Sequence, residues 1–222
     1  MADINVVRDL KQSLLLKPLS GAVLIAPMSV EIPAAFTTGA SADLVDLKTA
    51  GFTSLGHISK DGAPTFTPET ETSEVEAWGL LESARTDMTK RTTKIAWTGQ
   101  ETHKANLELY HNRDMATVKY NPTTGETEFA DPTSPSITYH RALFIGVDGA
   151  GSTLIYVIKV VPKMVITEVT EQSWKQDEVI SYGFTASAKL DESTGYAIKT
   201  VLAGPGWKAL AGKAGFTAGT GS

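Results

Sequence analysis

Apolar positions along this chain alternate with polar ones far more often than they recur at helical spacing. From Ile180 to Leu190, the residues Ile180, Tyr182, Phe184, Ala186, Ala188 and Leu190 alternate with Ser181, Gly183, Thr185, Ser187 and Lys189. That period of two predicts a long half-buried strand. Upstream, Ser136–Val147 and Ser152–Val161 flank Asp148-Gly149-Ala150-Gly151, and Asp-Gly between two such runs is a hairpin signal. Lys163–Thr170 continues the meander, and the turn Asp191–Gly195 leads into a last strand over Tyr196–Leu202.

The first half is more varied. Ile4, Val7, Leu10 and Leu14 are spaced like a helical stripe, so residues 4–16 form a short amphipathic helix or an arm that orders on docking. Gly21–Pro27 reads as a strand, Met28–Ala42 as a loop, and Ser41–Ala50 as one or two helical turns. Phe52–Ser59 is a strand stopped by Asp61-Gly62-Ala63-Pro64, a strong turn signature. Phe66–Trp78 is extended, but Glu69 and Glu71 lie on one face and Glu74 and Glu76 on the other. A strand with carboxylates on both faces is not fully buried, and its first half reads as a projecting loop or hairpin arm. Leu80–Asp87 and Thr92–Trp97 pair across Met88–Arg91. Thr98 and Glu101 form a capping box for a helix to about Tyr110, with His103, Leu107, Tyr110 and Ala105 available to pack on the sheet. His111-Asn112-Arg113 ends that helix. Met115–Tyr120 and Glu126–Phe129 flank a turn at Asn121–Gly125, and Asp131–Pro135 is a second Pro-rich break.

Composition agrees with a sheet protein. The 222 residues suit one sizeable core, and no composition break or internal repeat asks for a second domain. Threonine is abundant, and its branched Cβ suits a pleated surface. A net charge of −5 argues against a basic face that grips nucleic acid. The absence of cysteine removes disulfides, thiol nucleophiles and thiolate metal sites together. The start Met1-Ala2-Asp3-Ile4-Asn5 lacks the pattern of a signal peptide. The apolar runs Ser13–Leu16, Ala22–Pro27 and Leu154–Val161 are far shorter than the roughly 20 residues that span a bilayer. No membrane insertion is expected.

Candidate chemistry is thin. None of His57, His103, His111 and His140 has the close pairing a zinc site needs, such as two histidines three or four apart plus a carboxylate. Gly146–Gly151 looks like a phosphate loop but leads into the strand residues Leu154–Ile158, whereas a dinucleotide loop must open a helix. Glu69, Glu71, Glu74 and Glu76 lie in an exposed-looking run, while a glycosidase pair needs one desolvated carboxyl group. No serine sits in a nucleophile elbow. No catalytic, cofactor-binding or metal residue is expected, and no cofactor. Of the tryptophans, Trp78 and Trp97 end strands and are expected to anchor the core; Trp207 packs at home or against a neighbouring subunit.

In this order the pieces resemble the major tail tube proteins of long-tailed, siphovirus-type bacteriophages, those of actinobacteria in particular. The landmarks are Gly21-Ala22-Val23, Ala26-Pro27 and Ile32-Pro33, then Leu55–Gly62, Glu76-Ala77-Trp78-Gly79, Lys94-Ile95-Ala96-Trp97 before Glu101, and Gly204-Pro205-Gly206-Trp207. They span nearly the whole chain. The chain departs from the usual look at His57, where an aromatic is more typical, and at Asp131–Pro135. With the sequence ending soon after Trp207, no appended immunoglobulin-like domain is expected. The resemblance implies a mainly β, two-sheet sandwich or barrel-like fold with one flanking helix at about 99–110 and long loops. It implies an N-terminal arm (1–20), a single tube domain (21–210) and a flexible C-terminal tail (211–222). Copies would stack as hexameric rings into a virion tail tube, assembled in the host cytoplasm, that passes viral double-stranded DNA without binding it specifically. The tape measure protein, tail terminator and distal tail protein would be partners. The candidate subunit and ring contacts are Lys60, Asp61, Gly62, Phe66, Glu69, Glu71, Trp78 and Trp207. Two rival classes are a tail terminator or other ring-forming tail or baseplate protein, and a soluble ligand-binding β-domain or enzyme with a convergent pocket.

Overall fold

The computed structural model describes residues 4–134 and 136–219. The expectations for residues 1–3 of the arm, for Pro135 and for residues 220–222 of the tail lie outside the described residues.

Helix α1 (Ile4–Arg8) and a 3-10 turn (Gln12–Leu14) precede β1 (Ser20–Pro27). A small second sheet pairs β2 (Thr37–Thr38) with β3 (Asp43–Leu44). Then follow β4 (Thr53–Ser54), β5 (Thr65–Val75), β6 (Arg85–Gly99), α2 (Lys104–Tyr110), β7 (Tyr139–Asp148), β8 (Ile155–Val169), β9 (Tyr182–Ala188), β10 (Lys199–Ala203) and α3 (Pro205–Leu210). The large antiparallel sheet runs β4-β1-β7-β8-β9-β6-β5, with β10 also paired to β8. It is mainly β as the alternation predicts, and it is not a closed barrel.

The sheet is covered on both faces, and β1 shows how. Val23 and Ile25 join a cluster with Leu55, Ile95, Trp97 and Phe184, while Leu24 and Ala26 join another with Phe36, Leu47, Phe52 and Ile158. Alternate side chains of a strand point to opposite faces, so one strand feeds two cores. The sheet curls around the first cluster: Phe66 of β5 meets Phe144 of β7 edge to face, ring centroids 5.3 Å apart, although three strands lie between them. Trp97 fills the middle, stacked on Phe184 at 5.2 Å. Gly21 lets β1 approach β7, since a Cβ there would run into the Ile145 carbonyl oxygen.

Several expectations need correction. Leu80–Asp87 and Thr92–Trp97 do not pair with each other. Residues 85–99 form one strand whose partner is β5, and the reversal lies in 76–84. Met88–Arg91 holds neither Gly nor Pro to break the run, whereas Gly79 supplies a φ of 87° at the true turn. Lys163–Thr170 is the second half of β8, which passes straight through Pro162. The β7–β8 register shifts there, between His140 and Ala142, and a bulge spares proline a ladder N–H it lacks. Strand β9 is seven residues long and buried on both faces, not half-buried over eleven. Its small outer residues admit close cover: a Cβ at Gly183 would collide with the Thr170 side chain.

Ser41–Ala50 makes the short strand β3 and turns, and no helix. Asp46 Oδ1 accepts the N–H groups of Lys48 (3.0 Å) and Thr49 (3.2 Å), a local alternative to the helical ladder. Phe52–Ser59 keeps only Thr53–Ser54 as strand, with an isolated bridge from Ile58 to Gly99. The capping box does not form. Thr98 belongs to β6, and His103 caps α2 by accepting the Ala105 N–H at 3.2 Å. The helix buries Ala105, Asn106 and Leu109, with Leu107 and Tyr110 partly against the core. The turn at Asn121–Gly125 is present, but its flanks meet only in the bridge Tyr120–Thr127.

Candidate assembly interface

Strands β5 and β6 outrun the body. The β6–β9 ladder ends at Thr93–Ala188, while β5 and β6 stay paired to Val75–Arg85. The free ribbon is therefore about 25 Å long at roughly 3.3 Å per residue. Thr67, Glu69 and Glu71 share one face with Lys94, Thr92 and Lys90. There Lys94 Nζ lies 2.9 Å from Glu69 and Lys90 Nζ 2.7 Å from Glu71. The hydrogen bond to Glu71 raises the Lys90 ammonium above its ordinary value. Exposed pairs of this kind contribute little to stability, because solvent screens them. They set register; they do not build a core. Midway the register slips between Glu71 and Thr72. Thr89 is the extra residue, and its hydroxyl donates to the Glu71 carbonyl at 3.1 Å.

The tip is apolar and bare. In the turn Ala77-Trp78-Gly79-Leu80, the Leu80 N–H donates to the Ala77 carbonyl at 3.1 Å and Gly79 takes the positive φ, which leaves Trp78 at a corner. Trp78 and Leu81 are as exposed as in an open chain, 107% each, with Leu80, Val75 and Met88 also exposed. Trp78 thus anchors no core, unlike Trp97, which is 2% exposed. An isolated two-stranded ribbon is marginal in water, and contiguous exposed apolar side chains mark contact surfaces.

The candidate contacts are spread over the molecule. Lys60, Asp61 and Gly62 form a turn at the arm's base, where the Gly62 carbonyl accepts the Thr98 N–H at 2.9 Å. Phe66 points into the core, Glu69 and Glu71 lie along the arm, and Trp78 is at its tip. Trp207 stands apart on α3, packed at home against Phe216 with ring centroids 5.8 Å apart. Val75, Leu80, Leu81 and Met88 escaped the sequence reading, although the apolar cluster Val75–Leu81 between Glu74 and Glu82 was there to find.

The histidines are dispersed. His57 binds Glu101 through its ring and through its backbone N–H, the latter at 2.8 Å, and these bonds hold the Glu101 carboxyl below its ordinary range. His111 meets Asp131 at 2.7 Å, and His140 is buried. No three metal-ligating side chains gather among the described residues. Gly146–Gly151 is a hairpin end between β7 and β8.

The family model described as "Phage tail tube protein" matches residues 10–202. No curated protein matches the sequence. Two similar solved chains come from "Virion of native gene transfer agent (GTA) particle" and "Tail of empty GTA particle computed with helical refinement, C6 symmetry". Each is 12% identical at a TM-score of 0.37, over 71% of this chain and 92% of that one.

Proposed function

The chain belongs to the phage tail tube protein family, and from that membership we propose that its copies form hexameric rings stacked into the tube through which a phage genome leaves the virion. A structural role in the tail accounts for the lack of a metal-ligating cluster among the described residues, and the family is not one of enzymes. The observation that carries the assembly reading is the bare arm: 107% exposure of Trp78 and Leu81 has no purpose on a solitary molecule. Residues 21–210 make the wall of the ring in this reading, and 1–20, 211–222 and the arm reach to neighbours. The outer edge of β5 is open for pairing, and assembly removes the hazard of an exposed edge. The ends of such a tube would meet the tape measure, terminator and distal tail proteins of a siphovirus.

Electron microscopy of purified protein tests this. Stacked tubes are the expected result; single rings that never stack favour the terminator reading, and a permanent monomer overturns both. The lumen in this proposal is acidic or neutral, supported by the net charge of −5 on each copy. A basic wall would hold the dense phosphate charge of duplex DNA and slow it. Assembled tubes should not retain linear duplex DNA at low salt; strong, salt-sensitive retention would sink the idea.

A further inference from the structure

We propose that the tip of the arm seats in the cavity between the N-terminal segment and α3 of a neighbouring copy. The inference rests on the tube reading and names the two surfaces that meet. The tip offers the apolar side chains Val75, Trp78, Leu80 and Leu81 to solvent. The cavity holds about 340 Å³ and is lined by Leu16, Ile155, Ala209 and Leu210, with Ser13 and Asp148 among its polar members. It is small for a ligand site, at the bottom of the usual range of roughly 300–1,000 Å³, and suited to one or two large side chains. Leu10 and Leu15, 75% and 79% exposed, extend the apolar surface beside it.

Charge selects the occupant. Residues 74–84 carry Glu74, Glu76 and Glu82 and no basic residue. The segments around the cavity carry Arg8, Lys11 and Lys17 on one side and Lys208 and Lys213 on the other, against Asp9 and Asp148. Asp9 is paired with Lys11 at 3.0 Å, and Asp148 accepts the Lys17 backbone N–H at 2.9 Å. An apolar knob in an acidic setting thus faces an apolar hole whose lining holds one charged residue, Asp148, and whose flanking segments are net basic, which steers the docking and fixes its register. Knob and hole are different surfaces of one chain, so the contact is heterologous and can propagate.

The cysteine-free chain allows a clean test. Leu81→Cys and Ser13→Cys are prepared as separate full-length variants; both positions are exposed, so each should fold. Mixed during assembly and treated with a mild oxidant, they should give disulfide-linked pairs joining position 81 to position 13, and neither alone should cross-link. Tubes that form without this cross-link, or Leu81→Cys linking to itself, overturn the docking while the tube reading stands. Failure of the unaltered protein to assemble overturns the tube reading itself. In a second arm, Lys17→Glu with Lys208→Glu should slow assembly about tenfold or more by like-charge repulsion, and adding Glu76→Lys with Glu82→Lys should restore it. Unchanged assembly in the first double variant counts against the docking.

Discussion

Asn106 ties the helix to the sheet. It is fully buried, and its amide donates to the Leu55 carbonyl at 2.9 Å and to the Glu101 carbonyl at 2.8 Å. Gly99 leaves room for it, since a Cβ there would lie 3.2 Å from the amide. Asn106→Ala strands both carbonyls, and urea unfolding should record a loss of about 1–3 kcal/mol. Glu69→Gln, by contrast, breaks only an exposed pair and should cost less than about 1 kcal/mol. His140 titrates against folding. Burial lowers its pKa from 6.5, so the unfolded chain binds the proton more readily. Its contribution is present above that value and is lost as pH falls from 6.5 toward the lowered folded value. Stability should therefore drop as pH falls below 6.5, and His140→Gln should flatten that part of the profile. Neither residue advertised its role in the sequence. A buried amide and a surface amide read alike until the fold brings two unpaired carbonyls to one of them.

The strands were legible where a period of two was unbroken and bounded by turn chemistry, as in Gly21–Pro27 and on either side of Asp148–Gly151. Legibility failed where partners lay far apart in the chain. Thr92 belongs with Glu69 and Lys90 with Glu71, pairings that local pattern does not encode. It failed too where a side chain competed with the backbone, as Asp46 does. The arm was foreseen from carboxylates on both faces of Phe66–Trp78; its apolar tip was missed because charged residues surround it. As an element the arm is separable from the body, since residues 70–90 are exposed almost throughout. Replacing Thr72–Thr89 with a two-residue Asn-Gly turn, which keeps Glu71 opposite Lys90, should leave the unfolding midpoint nearly unchanged, because the deleted ribbon buries no core residue. Tube formation should be abolished in the same variant under the electron microscope. Normal tubes from it would remove the arm from the assembly.

At the scale of the whole molecule, the family was readable from ordered landmarks along the chain. The two-faced core was not, because it depends on loop 28–52 folding over the outer face of β1, β7 and β8. One feature of the arm also bears on the assembled tail. A bulge leaves its extra residue unpaired and disrupts the ladder locally, and the slip at Thr89 lies midway along a ribbon that bridges copies in the proposed tube. A tail that curves must lengthen its spacing on one side and shorten it on the other, and ribbons that flex at mid-length absorb the difference while their ends stay attached. Deleting Thr89 would straighten the ladder and leave the faces of both strands as they are. Tubes of that variant should have a longer persistence length in micrographs, and equal stiffness would show that the compliance resides elsewhere. The bulge would then act as a joint, giving a rigid-walled pipe the pliancy of a hose.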